Sequence, residues 1–282
     1  MKNFYDFNAE DWDRARRSSW GEFEFAKSFL SAQKILDAGC GNGRLNFWLA
    51  ENNFPGDYLG VDSSKNLIVL ARQNFPDRKF ENQNLLDLHK PNCADVIFCI
   101  AVLHHLHGPA EQKKAAQNLL RNLRSGGRIF LTVWNLWQPR FWQLHFSQKF
   151  SRNLKIPFAG KGSRQVYVFR KNELKKLLAT AGFKNIKIFY ARHSMKSNFL
   201  RGRNLIVLAE KGILKKTTFS KGKLSAKFRK KNLHLKIRHH PNSIFSLFRF
   251  FGGGSVIVFW HQSAFSLGPL RRFRFTTAGF FF

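Results

Sequence analysis

The turn Gly39-Cys-Gly-Asn-Gly43 constrains this chain more than any other feature. It follows Lys34-Ile-Leu-Asp37, an apolar run with the pattern of a buried strand. Helical periodicity then continues to about Asn52, with Leu45, Trp48 and Leu49 on one face. A strand ending in Asp-x-Gly-x-Gly-x-Gly and opening a helix presents bare backbone and free N–H groups at one point. Side chains at Gly39, Gly41 or Gly43 would obstruct a ligand there. Asp62 closes the next apolar run, Tyr58-Leu-Gly-Val-Asp62. In an open α/β sheet that is where a carboxylate meets a ribose diol, a charged hydrogen bond worth about 1.5–3 kcal/mol.

The alternation of short apolar runs with helical stretches continues down the chain, the sign of a parallel sheet with crossover helices. Ser63 is expected to cap a helix through Leu67, Leu70 and Ala71. Residues 79–84 form a weaker third strand. Residues 94–102 (ADVIFCIAV) are apolar on both faces and therefore central. Pro109 opens a helix to about Arg124, where its missing N–H costs nothing. Gly126-Gly127 turns into a fifth strand, 128–134. Residues 135–169 are Trp/Phe-rich, basic and too long for an ordinary loop, so they are read as a cap or substrate element. A helix over 172–181 is closed by Gly182, and strands at 186–192 and 204–210 complete the alternation.

Two cofactor classes use a glycine turn of this kind. The dinucleotide fingerprint has its third glycine where this chain has Arg44. Here the pattern is Gly-x-Gly-x-Gly with Asp37 ahead of it, the form associated with S-adenosylmethionine (SAM), which has no phosphate to cradle. A nicotinamide cofactor and a purely structural turn are the alternatives. The motifs ILDAGCGNG, LGVDSS, ENQNLLDL, ADVIFCIAVLHHL and LRSGGRIFLTVW resemble, in order and spacing, those of class I SAM-dependent methyltransferases of the type 11 group. The resemblance covers residues 34–134 motif by motif and 1–211 in outline. It implies an α/β, Rossmann-like fold with a mostly parallel sheet and helices on both faces. It also implies a SAM site drawn from Asp37, Gly39, Cys40, Gly41, Gly43, Asp62, Ser63, Asn84, Leu85 and Ala101. In that site the glycine turn holds the methionine part and Asp62 the ribose. Ser63 lies near the adenine, and Asn84-Leu85 flank its exocyclic amine. Many relatives have Asp where this chain has Asn84, so cofactor binding somewhat weaker than theirs is expected.

A narrower resemblance lies in Tyr5-Asp-Phe-Asn-Ala-Glu-Asp-Trp-Asp-Arg-Ala-Arg16, read as one N-terminal helix, and in Trp20. It continues in Ile100-Ala-Val-Leu-His-His105, Val133-Trp-Asn-Leu-Trp-Gln138 and Tyr167-Val-Phe-Arg-Lys-Asn-Glu-Leu174. These segments are similar to those of enzymes that methylate a carboxymethyl group on the wobble uridine of tRNA. The resemblance implies O-methylation of a carboxylate, tRNA as partner, and a small activating protein as a further partner to look for. Ile156-Pro-Phe-Ala-Gly-Lys-Gly162 departs from that group, which has a polar and aromatic motif at this place.

Charge agrees with a polyanionic substrate. The 282 residues carry a formal +31, unevenly spread. Residues 1–111 hold 12 basic and 15 acidic residues, residues 112–210 hold 21 and 2, and residues 211–282 hold 15 and none. The middle segment can neutralise several phosphates with strong salt dependence. Trp134, Trp137, Phe141, Trp142 and Phe146 interleave with its cations and offer either base stacking or the core of a cap. The alternatives to a tRNA enzyme are a methyltransferase for a quinone or small carboxylic acid, and a catalytically silent basic RNA-binding protein on the same fold.

A carboxylate acceptor, with a pKa near about 4, is already ionised and needs cations rather than a base. Arg140 and Arg16 are the candidates to hold it. A hydroxyl or carbon acid needs a general base, and His104 or His105, just after the fourth strand, is best placed. No metal site is expected, because the histidines lack an i,i+4 pair and a nearby carboxylate.

The domain is expected to span residues 1–211. Residues 212–282 contain no acid and 13 of the 32 phenylalanines, with neither period sustained. A basic RNA-binding extension through residues 227–231 and 271–274, a membrane-surface tail and an out-of-frame end are the readings. An out-of-frame end or an unselected, disordered tail is adopted, because local consistency is missing and Lys and Phe are what A- and T-rich codons yield out of frame. Cys40, Cys93 and Cys99 form no paired framework, no apolar run is long enough to span a membrane, and a signal peptide is not expected, since the opening residues lack its apolar stretch. A cytoplasmic location is expected; the oligomeric state is left open.

Overall fold

The computed structural model describes residues 2–158 and 162–213, and beyond them the backbone of three short strands. The chain divides into two compact units, Met1–Lys215 and Lys216–Phe282.

In the first unit, β1 (Lys34–Ala38), α3 (Leu45–Glu51), β2 (Asp57–Asp62), α4 (Lys65–Asn74) and β3 (Lys79–Asn82) form two successive strand–helix–strand steps. β4 (Ala94–Ile100), α5 (Pro109–Asn122) and β5 (Leu123–Trp134) follow. After α6 (Trp142–Ser147) and the hairpin β6 (Asn153–Pro157)–β7 (Ser163–Tyr167) come α7 (Lys171–Ala181), β8 (Phe183–Arg192), β9 (Met195–Ser197) and β10 (Asn204–Lys211). Ahead of β1 lie α1 (Lys2–Phe7), α2 (Ala9–Arg14) and a 3-10 stretch, Gly21–Phe29. The sheet order is β3-β2-β1-β4-β5-β10-β8-β9. β1 to β5 pair in parallel, and β10 runs antiparallel to both β5 and β8. β1 lies between β2 and β4, so the winding reverses there and opens a crevice at the carboxyl ends of β1 and β4.

The strands are apolar on both faces because each face has its own core. Ile97 and Cys99 of β4 and Ile129, Leu131 and Val133 of β5 pack with Ala115, Leu119, Leu174 and Leu178 from α5 and α7. The alternate residues Val96, Phe98 and Phe130 pack on the other face with Phe23, Trp48, Leu49 and Ile68. Leu136, Leu154, Val166 and Val168 form a small third core inside the 135–169 segment.

Several local readings are corrected. Gly126-Gly127, read as the turn into the fifth strand, lies inside β5, and the fourth strand ends at Ile100 rather than Val102. The N-cap of α4 is Ser64, not Ser63: its hydroxyl accepts the Leu67 N–H at 3.3 Å. The N-terminal segment read as one helix is two, broken at Asn8, whose φ of −111° is outside the helical range. The aromatics of the cap segment divide between two roles. Trp134, Trp137 and Phe141 pack on the third core, whereas Trp142 and Phe146 are 51% and 67% exposed.

In the second unit β11 (Phe245–Arg249), β12 (Ser255–Phe259) and β13 (Thr276–Thr277) form an antiparallel sheet. The basic stretches 227–231 and 271–274, and with them the reading of that end as out of frame, lie outside the described residues. Among the described residues, no helix is long and apolar enough to cross a membrane.

Candidate active site

The crevice is a cavity of about 1130 Å³. That exceeds the roughly 300–1,000 Å³ of an ordinary small-molecule site, leaving room for a cofactor and an acceptor together. Its floor is the turn after β1. Gly39 has φ +88°, and a Cβ there would fall 2.1 Å from the Val102 side chain, so only glycine fits. Gly41, at φ +56°, has open space over its backbone, the nearest atom to an added Cβ being Trp12 Nε1 at 3.6 Å. Gly43 differs. It does not line the cavity, and a Cβ there would press on Phe75 and Phe80, so its smallness serves packing rather than cofactor approach.

Asp62 binds the turn to the second strand. Its Oδ2 accepts the Gly41 N–H and its Oδ1 the Ser64 N–H, both at 2.9 Å. Burial raises its pKa against the pull of these N–H groups. A carboxylate has about four acceptor sites, so Asp62 retains capacity toward the cavity it lines. Asp37 is buried, accepts the Tyr58 hydroxyl at 2.8 Å and has its pKa pushed up to about 7, first by burial. A cation arriving beside it would restore its charge. Cys40, Ser63, Asn84, Leu85 and Ala101 also line the cavity. Burial holds the Cys40 thiol protonated. Ala101 takes φ +55°, a strained left-handed turn at the end of β4, fixed by two hydrogen bonds from its N–H to Thr132.

Asn84 is partly committed: its Oδ1 accepts the Leu86 N–H at 2.9 Å as a turn cap. Beside it, Gln83 lines the cavity with a buried Oε1 that has no hydrogen-bond partner among the described residues. That orphaned acceptor suits an exocyclic amine better than Asn84 does. Nothing in the sequence distinguishes the two neighbours. Together the glycine floor, the Asp37 and Asp62 carboxylates and the Gln83 acceptor fit SAM.

The two histidines differ sharply. His104 is fully buried, does not line the cavity, and accepts the Trp134 N–H through Nδ1 at 3.4 Å. It is a core residue and is corrected from the candidate bases. His105 lines the cavity, with Nε2 and the Tyr5 hydroxyl hydrogen-bonded at 2.8 Å. Burial, then Arg164, depress its pKa to about 3. Burial raises Tyr5 to about 12. At neutral pH both are uncharged, and neither is a competent base. Arg140 lines the cavity with its guanidinium 4.6 Å from the Phe141 centroid.

The roof comes from elements that sequence reasoning placed only in outline. Tyr5 of α1, Trp12 of α2, Arg16 and Arg164 of β7 all face the cavity. The N-terminal helices are strapped to α4 and to the glycine turn. Ser64 Oγ donates to Asp6 at 2.6 Å, and the Asn42 and Asn74 amides donate to Asp13 at 2.8 Å each.

A doubly wound sheet, with this glycine floor and an acidic residue ending the second strand, defines a SAM-dependent methyltransferase. The chain belongs to the methyltransferase-domain family, whose match covers residues 30–182. The chain is 28% identical over 203 residues to the tRNA (carboxymethyluridine(34)-5-O)-methyltransferase of Schizosaccharomyces pombe, covering 63% of this chain and 86% of that protein. It is 33% identical over 131 residues to the Arabidopsis thaliana enzyme of the same name, covering 46% of this chain but only 31% of that protein. A solved SAM-dependent methyltransferase from Methanosarcina mazei shares the fold, with a TM-score of 0.53, 19% identity and coverage of 64% and 93% of the two chains.

Proposed function

We propose that this methyltransferase esterifies the carboxylate of a carboxymethyl group on a tRNA wobble uridine. The observation that carries the reading is the gathering of arginines around the cavity beside His105, which is too weakly basic to take a proton. Arg16, Arg140, Arg164 and Arg203 line it, while His105 is held neutral with a pKa near 3. A hydroxyl or carbon acid would need a proton removed, whereas a carboxylate arrives ionised and asks only for positive charge. The names of the fungal and plant relatives point to the same chemistry. The excess of basic over acidic residues in 112–210 suits an RNA acceptor.

In this reading Asp37 takes the cofactor's ammonium, Asp62 the ribose diol and Gln83 the adenine amine. When bound, SAM supplies an electrophilic methyl on a sulfonium. In-line displacement needs alignment and exclusion of water, and Tyr5, Trp12 and Trp134, which line the cavity, are the aromatic walls that would serve both. The test is transfer of labelled methyl to tRNA from cells lacking wobble methylation, with nucleosides separated and weighed. Label in a carboxymethyl-type uridine is expected. Label absent from RNA, with SAM bound normally, moves the acceptor to a small carboxylic acid.

A further inference from the structure

Arg164 sits on β7 opposite Ile156 and lines the cavity. Its guanidinium carbon lies 4.3 Å from the ring centroid of Trp134, 5.2 Å from Phe158 and 5.6 Å from Trp12. Nε and Nη1 are buried and have no hydrogen-bond partner among the described residues. Leaving such donors unpaired costs at least about 1–3 kcal/mol, so a protein keeps them where a ligand will satisfy them. The group acting favourably on this cation is the Tyr5 phenol, itself kept neutral; no carboxylate is among the groups that act on it.

A second guanidinium faces the same cavity. The Arg16 carbon stands 3.3 Å from the Trp12 centroid, and its pKa is drawn down to about 10 by burial, then by Arg44 and Arg164. Aromatic faces thus hold two mutually repelling cations beside one cavity, with donors to spare. The planar fork of a guanidinium matches a carboxylate through two parallel hydrogen bonds.

We propose that Arg164, assisted by Arg16, grips the carboxylate of the methyl acceptor and is the residue that selects an acid over its ester. This rests on the reading of the site as a carboxylate O-methyltransferase. In the transfer, a carboxylate oxygen forms its bond to the methyl carbon as the carbon–sulfur bond breaks, and the electron pair stays on sulfur. No proton moves, and the product is a neutral ester. The arginines therefore lose their ionic partner on turnover, so the clamp that holds substrate releases product.

The test uses the full chain without methyl donor, titrated with an anticodon stem-loop carrying 5-carboxymethyluridine, its methyl ester or plain uridine. Phenylacetate and its methyl ester are run alongside, read by tryptophan emission, since Trp12 and Trp134 flank the guanidinium. The wild type is expected to bind the acid stem-loop at least tenfold tighter than the ester. Arg164→Gln should bring that ratio below twofold with ester affinity unchanged, and Arg164→Lys should fall between. Melting temperature and SAM affinity verify that each variant is folded. A full acid preference in folded Arg164→Gln overturns the assignment. If wild type shows no stem-loop preference, but phenylacetate shifts its emission and not that of Arg164→Gln, the clamp stands and the tRNA reading falls. If wild type prefers neither acid, the clamp is wrong.

Discussion

Asp37 illustrates how one buried side chain ties stability to ligand binding. Its folded-state pKa of about 7 lies above the roughly 3.9 of an unfolded aspartate. The folded chain therefore holds the extra proton between those values. Its contribution to stability is complete below about pH 4 and is lost as pH rises toward 7. Asp37→Asn should melt higher than wild type at pH 8 without cofactor, and bind SAM at least tenfold more weakly by calorimetry. If the charged form takes the cofactor's ammonium as proposed, wild-type affinity should climb between pH 6 and 8 with uptake of SAM releasing protons. Unchanged SAM affinity in the variant would remove Asp37 from the site. His104 makes the opposite case, as a core residue whose ring centroid lies 4.7 Å from that of Trp134. His104→Ala should lose about 2–4 kcal/mol of stability by denaturant melt, as large-to-small core changes do, while activity per folded molecule survives. Loss of turnover at full stability would restore it as a base.

At the scale of elements, strands and crossover helices were legible because each carries its own period and punctuation. β4 was readable as central from its continuous apolar run, and α7 ends at Gly182, which takes the φ of +111° that a left-handed cap requires. The N-terminal helices were harder, because what shapes them is distant. Asp13 is held by Asn42 and Asn74, and Asp6 by Ser64 and Asn66, none of them local in sequence. Although burial pushes the Asp13 pKa up, the hydrogen bonds from Asn42, Asn74 and Arg17 hold it below the ordinary value. A depressed carboxyl contributes stability above about pH 4 and loses it as pH falls through the folded value. Amides of α2 should therefore exchange faster in acid than those of β4. Asp13→Ala should speed SAM release severalfold in stopped-flow while β4 protection stays constant. Equal exchange in the variant and wild type would show that this strap does not hold the roof.

At the scale of the whole molecule, the cavity, both sheet cores and the third core all lie within residues 4–209. A chain ending at Lys215 should bind SAM within twofold of full length by calorimetry; a larger loss would make the remaining residues part of the cofactor site. If tRNA is the acceptor, its affinity for that shortened chain should fall steeply with salt, because residues 112–210 hold 21 basic and 2 acidic residues. A flat salt response would argue for a small acceptor. The sequence by itself determined the doubly wound class, the cofactor and the places of β1, β2 and β4, whose ends it read only to within a residue or two, since these rest on local period, glycine placement and short-range spacing. Gly43 looked like part of the cofactor turn from that spacing, yet its neighbours Phe75 and Phe80 come from elsewhere in the chain. Likewise only the fold separated His104 from His105 and Gln83 from Asn84. It also set Arg164 on β7 beside Tyr5, Trp12 and Arg16. Burial, and the electrostatics that follow from it, depend on which distant side chains close around a group, and no local pattern carries that information.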